Sequence, residues 1–151
     1  MDVECTCSAL RMAARRLSQA YDAALAPEKL SVSQYAVLSN LAKREAEGPP
    51  SMGELAERLG LDRTTLTHNL RPLARDGLVA LVADPLDGRS RRVTLTPDGW
   101  AKRRRCQPLW RAAQDHFDRS FGTEPSRALR DSLAAIARHA EGTAAPVPEK
   151  D

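Results

Sequence analysis

Apolar residues recur near the start of the chain at Val3, Cys7, Leu10, Ala14, Leu17, Tyr21 and Ala24. That alternation of four and three is the stripe of an amphipathic helix, with Arg11, Arg15, Gln19 and Asp22 on its other faces. Pro27 marks its end. Ser31 and Gln34 have capping-box spacing and open a second helix, which turns Tyr35, Leu38 and Leu41 inward. Gly48-Pro49-Pro50 closes that unit.

Ser51-Met-Gly-Glu54 is a second capping box, at the head of a short helix over 52–59 with Leu55 and Leu59 on one face and Gly60 at its stop. Asp62 caps a further helix to about residue 76, with Leu66, Leu70 and Leu73 as its buried stripe and Gly77 at its close. Pro72 removes one hydrogen bond inside it. Two short helices joined around a glycine form a helix-turn-helix. Leu78–Ala83 and Arg91–Leu95 then read as strands around the polar turn Asp84–Ser90, a hairpin with a charged tip. Thr96-Pro97 launches a long helix to Phe121, with Cys106, Trp110, Ala113, Phe117 and Phe121 at helical spacing and Pro108 breaking its hydrogen-bond ladder. A last helix, about 124–141, aligns Leu129, Leu133, Ile136 and Ala140. The expected fold is mainly α (α+β): a winged helix-turn-helix over 31–96, flanked by an N-terminal helix in 1–30 and C-terminal helices over 97–141, with a disordered tail 142–151.

A chain of 151 residues allows one domain with extensions. No apolar run approaches the eighteen or so residues of a membrane span, and Met1-Asp2-Val3-Glu4 is acidic where a secretory leader is basic. Three cysteines are odd in number and too few for a disulfide framework, which fits a reducing cytoplasm.

Charge sharpens the picture once it is divided along the chain. Residues 61–111 hold eleven Lys/Arg against five Asp/Glu, a net +6, while the rest is net −3. Such a block suits either a polyanion partner or a solvated helix face. The helix after Asp62 separates these. With Leu66 inward, Thr64, His68, Arg71 and Arg75 point outward and Thr67 flanks them, a face with donors but no acid. Such groups donate to phosphates, and Arg can fork onto guanine O6 and N7. Arg63 and Thr65 at the start of that helix, and Arg89, Ser90 and Arg91 on the hairpin, complete the candidate contacts. Asp84 and Asp87 are the candidate braces of this wing, and they also satisfy ordinary turn chemistry.

The phrases Leu30-Ser-Val-Ser-Gln-Tyr-Ala-Val-Leu38, Ser51-Met-Gly-Glu-Leu-Ala-Glu-Arg-Leu59, Asp62-Arg-Thr-Thr-Leu-Thr67, Leu73-Ala-Arg-Asp-Gly-Leu-Val79 and Asp84-Pro-Leu-Asp-Gly-Arg-Ser-Arg-Arg-Val-Thr-Leu-Thr-Pro-Asp-Gly99 occur in the order of these elements. Together they resemble the MarR family of bacterial transcription regulators over about residues 7–140. The resemblance implies a homodimer held by the first and last two helices, with two recognition helices meeting a pseudo-palindromic duplex. It further implies that Arg89 enters the minor groove braced by Asp87, that Arg91 or Arg92 meets phosphate, and that the protein is a repressor. The run Lys102-Arg-Arg-Arg105 is left for flanking phosphates.

The same resemblance implies release of DNA by a small-molecule effector or by cysteine oxidation. Cys7 and Tyr21 share a helical stripe and resemble the organic-hydroperoxide-sensing branch, whose reactive cysteine is hydrogen-bonded by tyrosines. The position of that branch's second tyrosine is Val32 here. A pocket would draw on Tyr21, Tyr35 and nearby aliphatics, and Arg11, Arg15 and Arg16 would favour an anion. Cys5, Cys7 and Cys106 lack a fixed third metal ligand, and His68, His116 and His139 have no metal-ligand spacing, so neither a metal nor a cofactor is expected. A thiol peroxidase would need a base and oxyanion loop beside Cys7, so no enzyme is expected. The remaining rival is a winged helix that binds protein rather than DNA.

Overall fold

The computed structural model describes residues 5–88 and 90–140. The expected helix start at Val3, the wing residue Arg89, Glu141 and the tail 142–151 lie outside the described residues. One compact unit runs to Ala113 and a second begins at Gln114.

In the first unit, α1 (Thr6–Leu25) buries Leu25 at its end, and a single 3-10 turn, Ala26–Glu28, follows. Asp22 Oδ1 accepts from the amide of Val32 at 2.6 Å, pinning α1 to the start of α2 (Val32–Lys43). Both capping boxes form: Ser31 and Gln34 exchange hydrogen bonds at the head of α2, and Ser51 and Glu54 do so at the head of α3 (Met52–Leu59). These reciprocal bonds satisfy amides a helix start would otherwise leave unpaired.

Asp62 caps α4 (Arg63–Arg75), accepting from the amide of Thr65 at 2.8 Å. At its far end the amide of Leu78 donates to Leu73 O and that of Gly77 to Ala74 O, closing a Schellman turn that needs the left-handed φ of 69° at Gly77. Leu66, Leu70 and Leu73 join Leu25, Leu38, Leu55 and Val93 in one buried cluster. The helix-turn-helix is therefore packed through its leucines and aligned by its caps.

Strands β1 (Val79–Ala83) and β2 (Arg91–Leu95) pair antiparallel, from Val79 opposite Leu95 to Ala83 opposite Arg91. Only Val79 and Val93 of the ten strand residues are buried, because the hairpin extends beyond the core. Leu81 and Leu86 are exposed. A third segment flanks β2: the amide of Val93 donates to Pro50 O, and Ser51 bridges Arg92.

Thr96 Oγ1 accepts from the amide of Gly99 and donates to Gly77 O, so one hydroxyl starts α5 (Pro97–Phe121) and ties it to the end of α4. The helix runs unbroken through Pro108. The loss of one internal hydrogen bond is tolerated in a helix this long. Lys102 Nζ and Arg105 Nε both reach the Glu28 carboxylate, at 3.2 and 3.1 Å, and Arg103 donates to Gln107. Much of the run set aside for phosphates thus fastens α5 to the turn after α1. The two cations hold the Glu28 carboxyl below its ordinary value, Arg105 more strongly.

In the second unit, the end of α5 stacks Phe117 on Phe121, with ring centroids 5.3 Å apart. Asp118 takes Arg130 of α6 (Thr123–Ala140) at 3.0 Å. Two residues of the expected α6 stripe are exposed, Leu133 at 38% and Ile136 at 41%, and Leu129 is half-buried.

Gly99 is buried where α5 crosses the base of the wing, and a Cβ there would overlap the Leu78 carbonyl oxygen and crowd Leu95. Gly99→Ala is expected to lower stability by about 3 kcal/mol, read from urea midpoints. A wild-type midpoint would contradict this close approach.

Candidate nucleic-acid interface

Because Leu66, Leu70 and Leu73 face the core, the opposite face of α4 is committed to solvent. Arg63, Thr64, Thr67, His68 and Arg71 line one shallow groove there, without a carboxylate among them. Thr67 Oγ1 donates to Arg63 O at 2.7 Å, which leaves its lone pairs outward. Two of the expected contacts stand apart. Thr65 donates its hydroxyl to Asp62 Oδ2, so it serves the cap, and its amide and hydroxyl together hold the Asp62 carboxyl below its ordinary value. Arg75 lies outside the groove and is paired with Asp76 at 2.9 Å.

The wing turn is held from within. The amide of Ser90 donates to Asp87 O, and that of Asp84 to Ser90 O. Asp84 is buried, and its carboxylate accepts the Leu86 amide at 2.8 Å and Arg92 Nε at 2.7 Å. The Leu86 hydrogen bond, then the Arg92 pair, hold that carboxyl below its ordinary value. Arg91 is exposed on β2, whereas Arg92 is turned inward. Arg92 is the residue that sequence reasoning missed as a wing brace. The signal was present, since adjacent residues on a strand point to opposite faces and an Arg-Arg pair cannot send both side chains to one surface.

A separate cavity of about 470 Å³ lies between α2 and α5. Tyr35 and Trp110 wall it, their centroids 6.1 Å apart. Among the described residues, three buried polar atoms at its edge have no hydrogen-bond partner: Ser39 Oγ, Asn40 Oδ1 and Arg103 Nε. Buried polar groups are normally satisfied, so their convergence on one cavity suits a polar guest. Tyr35 lines this space as expected. Its cations, Lys43, Arg103 and Arg111, come from α2 and α5 instead of Arg11, Arg15 and Arg16 on α1.

Cys7 is exposed near the start of α1. Fourteen residues of helix separate it from Tyr21, about 21 Å, so the two cannot meet within one chain. Cys5, at the N-cap, is exposed too, and hydrogen bonds from the amide and hydroxyl of Ser8 push its thiol down. Burial, then the Glu28 charge, push the Cys106 thiol up. Among the described residues no group of three or more His, Cys, Asp or Glu could hold a metal ion. No described helix is long and apolar enough to cross a membrane.

The sequence profile of the MarR family matches residues 29–90, which include the whole helix-turn-helix and the wing tip. The M. tuberculosis transcriptional regulator MosR, solved in complex with DNA, is 40% identical and superposes with a TM-score of 0.81 over 91% of this chain and 97% of that one. This chain belongs to the MarR family of transcriptional regulators. The transcriptional repressor CouR, solved on a 23-mer DNA duplex, is 30% identical with a TM-score of 0.78, over 89% of this MarR-family chain and 93% of that one. The transcriptional activatory protein BadR of Rhodopseudomonas palustris is 41% identical over 76 residues, 50% of this chain and 43% of BadR, so the match spans less than half of that curated relative. These relatives are transcriptional regulators, not enzymes.

In the native protein, Cys5 is expected to take up a maleimide well ahead of Cys106, which should label only on unfolding. Mass spectrometry of timed digests locates the labels. Equal native labelling of Cys5 and Cys106 would contradict their placement.

Proposed function

We propose that this MarR-family regulator binds double-stranded DNA sequence-specifically as a homodimer, represses transcription from a pseudo-palindromic site, and is released by a small-molecule effector. The observation that carries DNA binding is the α4 groove, in which Arg63, Thr64, Thr67, His68 and Arg71 meet without an acid. A helix fits the major groove, and these donors match phosphate oxygens and guanine edges. Ser90 and Arg91 on the wing extend the surface toward the backbone, and the family resemblance assigns the minor groove to Arg89. The DNA complexes of the relatives MosR and CouR support DNA binding. CouR, matched over most of the chain, is named a repressor, which favours repression over the activating role named for BadR.

The exposed Leu133 and Ile136 of α6, and the α1 stripe in which Leu10, Leu17, Tyr21 and Ala24 are only half-buried, favour a dimer that covers them. Two copies would place their recognition helices about 34–36 Å apart, one turn of B-DNA. The α2–α5 cavity is the effector site: its cations and unpaired polar atoms suit a small anion with a planar body seated between Tyr35 and Trp110. A cytoplasmic location follows from a chromosomal target.

A second reading, release by hydroperoxide oxidation of Cys7, is favoured by the exposure of that thiol on α1. Tyr21 would then have to come from the second copy. Cys7→Ser is expected to keep DNA affinity, and peroxide release of that variant equal to wild type would remove this reading.

Selection of duplexes from genomic fragments, followed by fluorescence anisotropy, tests the main proposal. Arg71→Ala is expected to cost about 1–3 kcal/mol and relax preference at one base position, whereas Arg89→Ala weakens all sequences alike. Unaltered binding in both variants would overturn it. Failure to enrich any duplex would favour the protein-binding rival.

A further inference from the structure

Strand β2 has a neighbour on each side at Arg92. Its main chain pairs with Val82 of β1 and bridges Ser51, and the next amide, of Val93, donates to Pro50 O. The guanidinium reaches both sides as well. Nε donates to Asp84 Oδ2 at 2.7 Å, and Nη1 donates to Pro49 O at 2.9 Å and lies 3.9 Å from Glu54 Oε2. Asp84 in turn accepts the Leu86 amide from the wing turn, and Glu54 accepts the Ser51 amide at the head of α3. An unbroken run of polar contacts thus joins the wing turn to the N-terminus of α3, the helix that immediately precedes the recognition helix.

We infer that Arg92 is a positioning residue for DNA recognition: it meets no phosphate itself but fixes the wing's angle to the helix-turn-helix, leaving Arg91 and Arg89 to contact the backbone and groove. This role rests on DNA binding as proposed above. Asp84 is buried and the Arg92 side chain is 28% exposed, so their pair is better shielded than an ordinary surface ion pair. The task also needs a guanidinium, since its planar fork presents donors to Asp84 and Pro49 at once, while a lysine offers one nitrogen. A wing already set at the bound angle loses less freedom on meeting DNA, and binding tightens accordingly.

The test uses the full chain and a selected duplex across a salt series. Arg92→Met is expected to weaken binding about fivefold while leaving the slope of log K against log salt unchanged, because no phosphate contact is lost. Arg91→Met, by contrast, lowers that slope by about 1. Asp84→Asn, nearly isosteric and still able to accept from Leu86, is also expected to weaken binding. Simple electrostatics predicts the opposite, since the variant removes a negative charge from a DNA-binding surface. Arg92→Lys should not rescue, and amide exchange at Leu86 should quicken in Arg92→Met without DNA. A slope reduced by about 1 in Arg92→Met, or binding undiminished in Asp84→Asn, would overturn the inference while DNA binding stands. A wild-type chain that selects no duplex overturns the DNA-binding proposal and this role with it.

Discussion

Burial of Leu66, Leu70 and Leu73 sets the rotation of α4 about its axis, and the rest of the interface depends on that rotation. A helix turns about 100° per residue, so a register error of one position would carry either Leu66 and Leu70 into the groove or Arg71 into the core, depending on its direction. The caps protect against such an error. Asp62 fixes where α4 begins, and the Schellman turn at Gly77 fixes where it ends. Arg63, Thr64, Thr67, His68 and Arg71 share a groove because three leucines share a core.

The wing is a weaker element that borrows order from its neighbours. Two strands with only two buried residues have little apolar area of their own, and isolated hairpins are marginal in water. The deficit is met at three points: Gly99 against the Leu78 carbonyl, Thr96 bridging the end of α4 to the start of α5, and Arg92 between Asp84 and the 49–54 segment. The first anchors the hairpin to α5 and the other two anchor it to the helix-turn-helix, so the wing is held beside the recognition helix.

Local rules were fully legible in the sequence. Both capping boxes, the Asp62 cap, the α4 leucine stripe and the limits of β2 depend on residues within a few positions of one another, and all formed as spacing predicts. Long-range pairings were not legible. Glu28 neutralises Lys102 and Arg105 from more than seventy residues away, and Arg92 meets Pro49 across forty-three. Charge counting assigned such cations to DNA because it cannot see which acids the fold brings to them. Likewise, helical spacing places apolar stripes on α1 and α6 but does not say whether the same chain covers them. Among the described residues Leu133 and Ile136 of α6 are exposed, which directs the dimer proposal there. The α2–α5 cavity was anticipated only through Tyr35, since its unpaired polar atoms emerge from packing between distant helices.

Base-level footprinting of the protein on a selected duplex tests the central claim most directly. Two copies that each present the α4 face should protect guanine N7 in two major-groove segments about one helical turn apart, with minor-groove adenines protected beside each. Protection of a single segment, or of the minor groove alone, would contradict a dimer that reads DNA through α4.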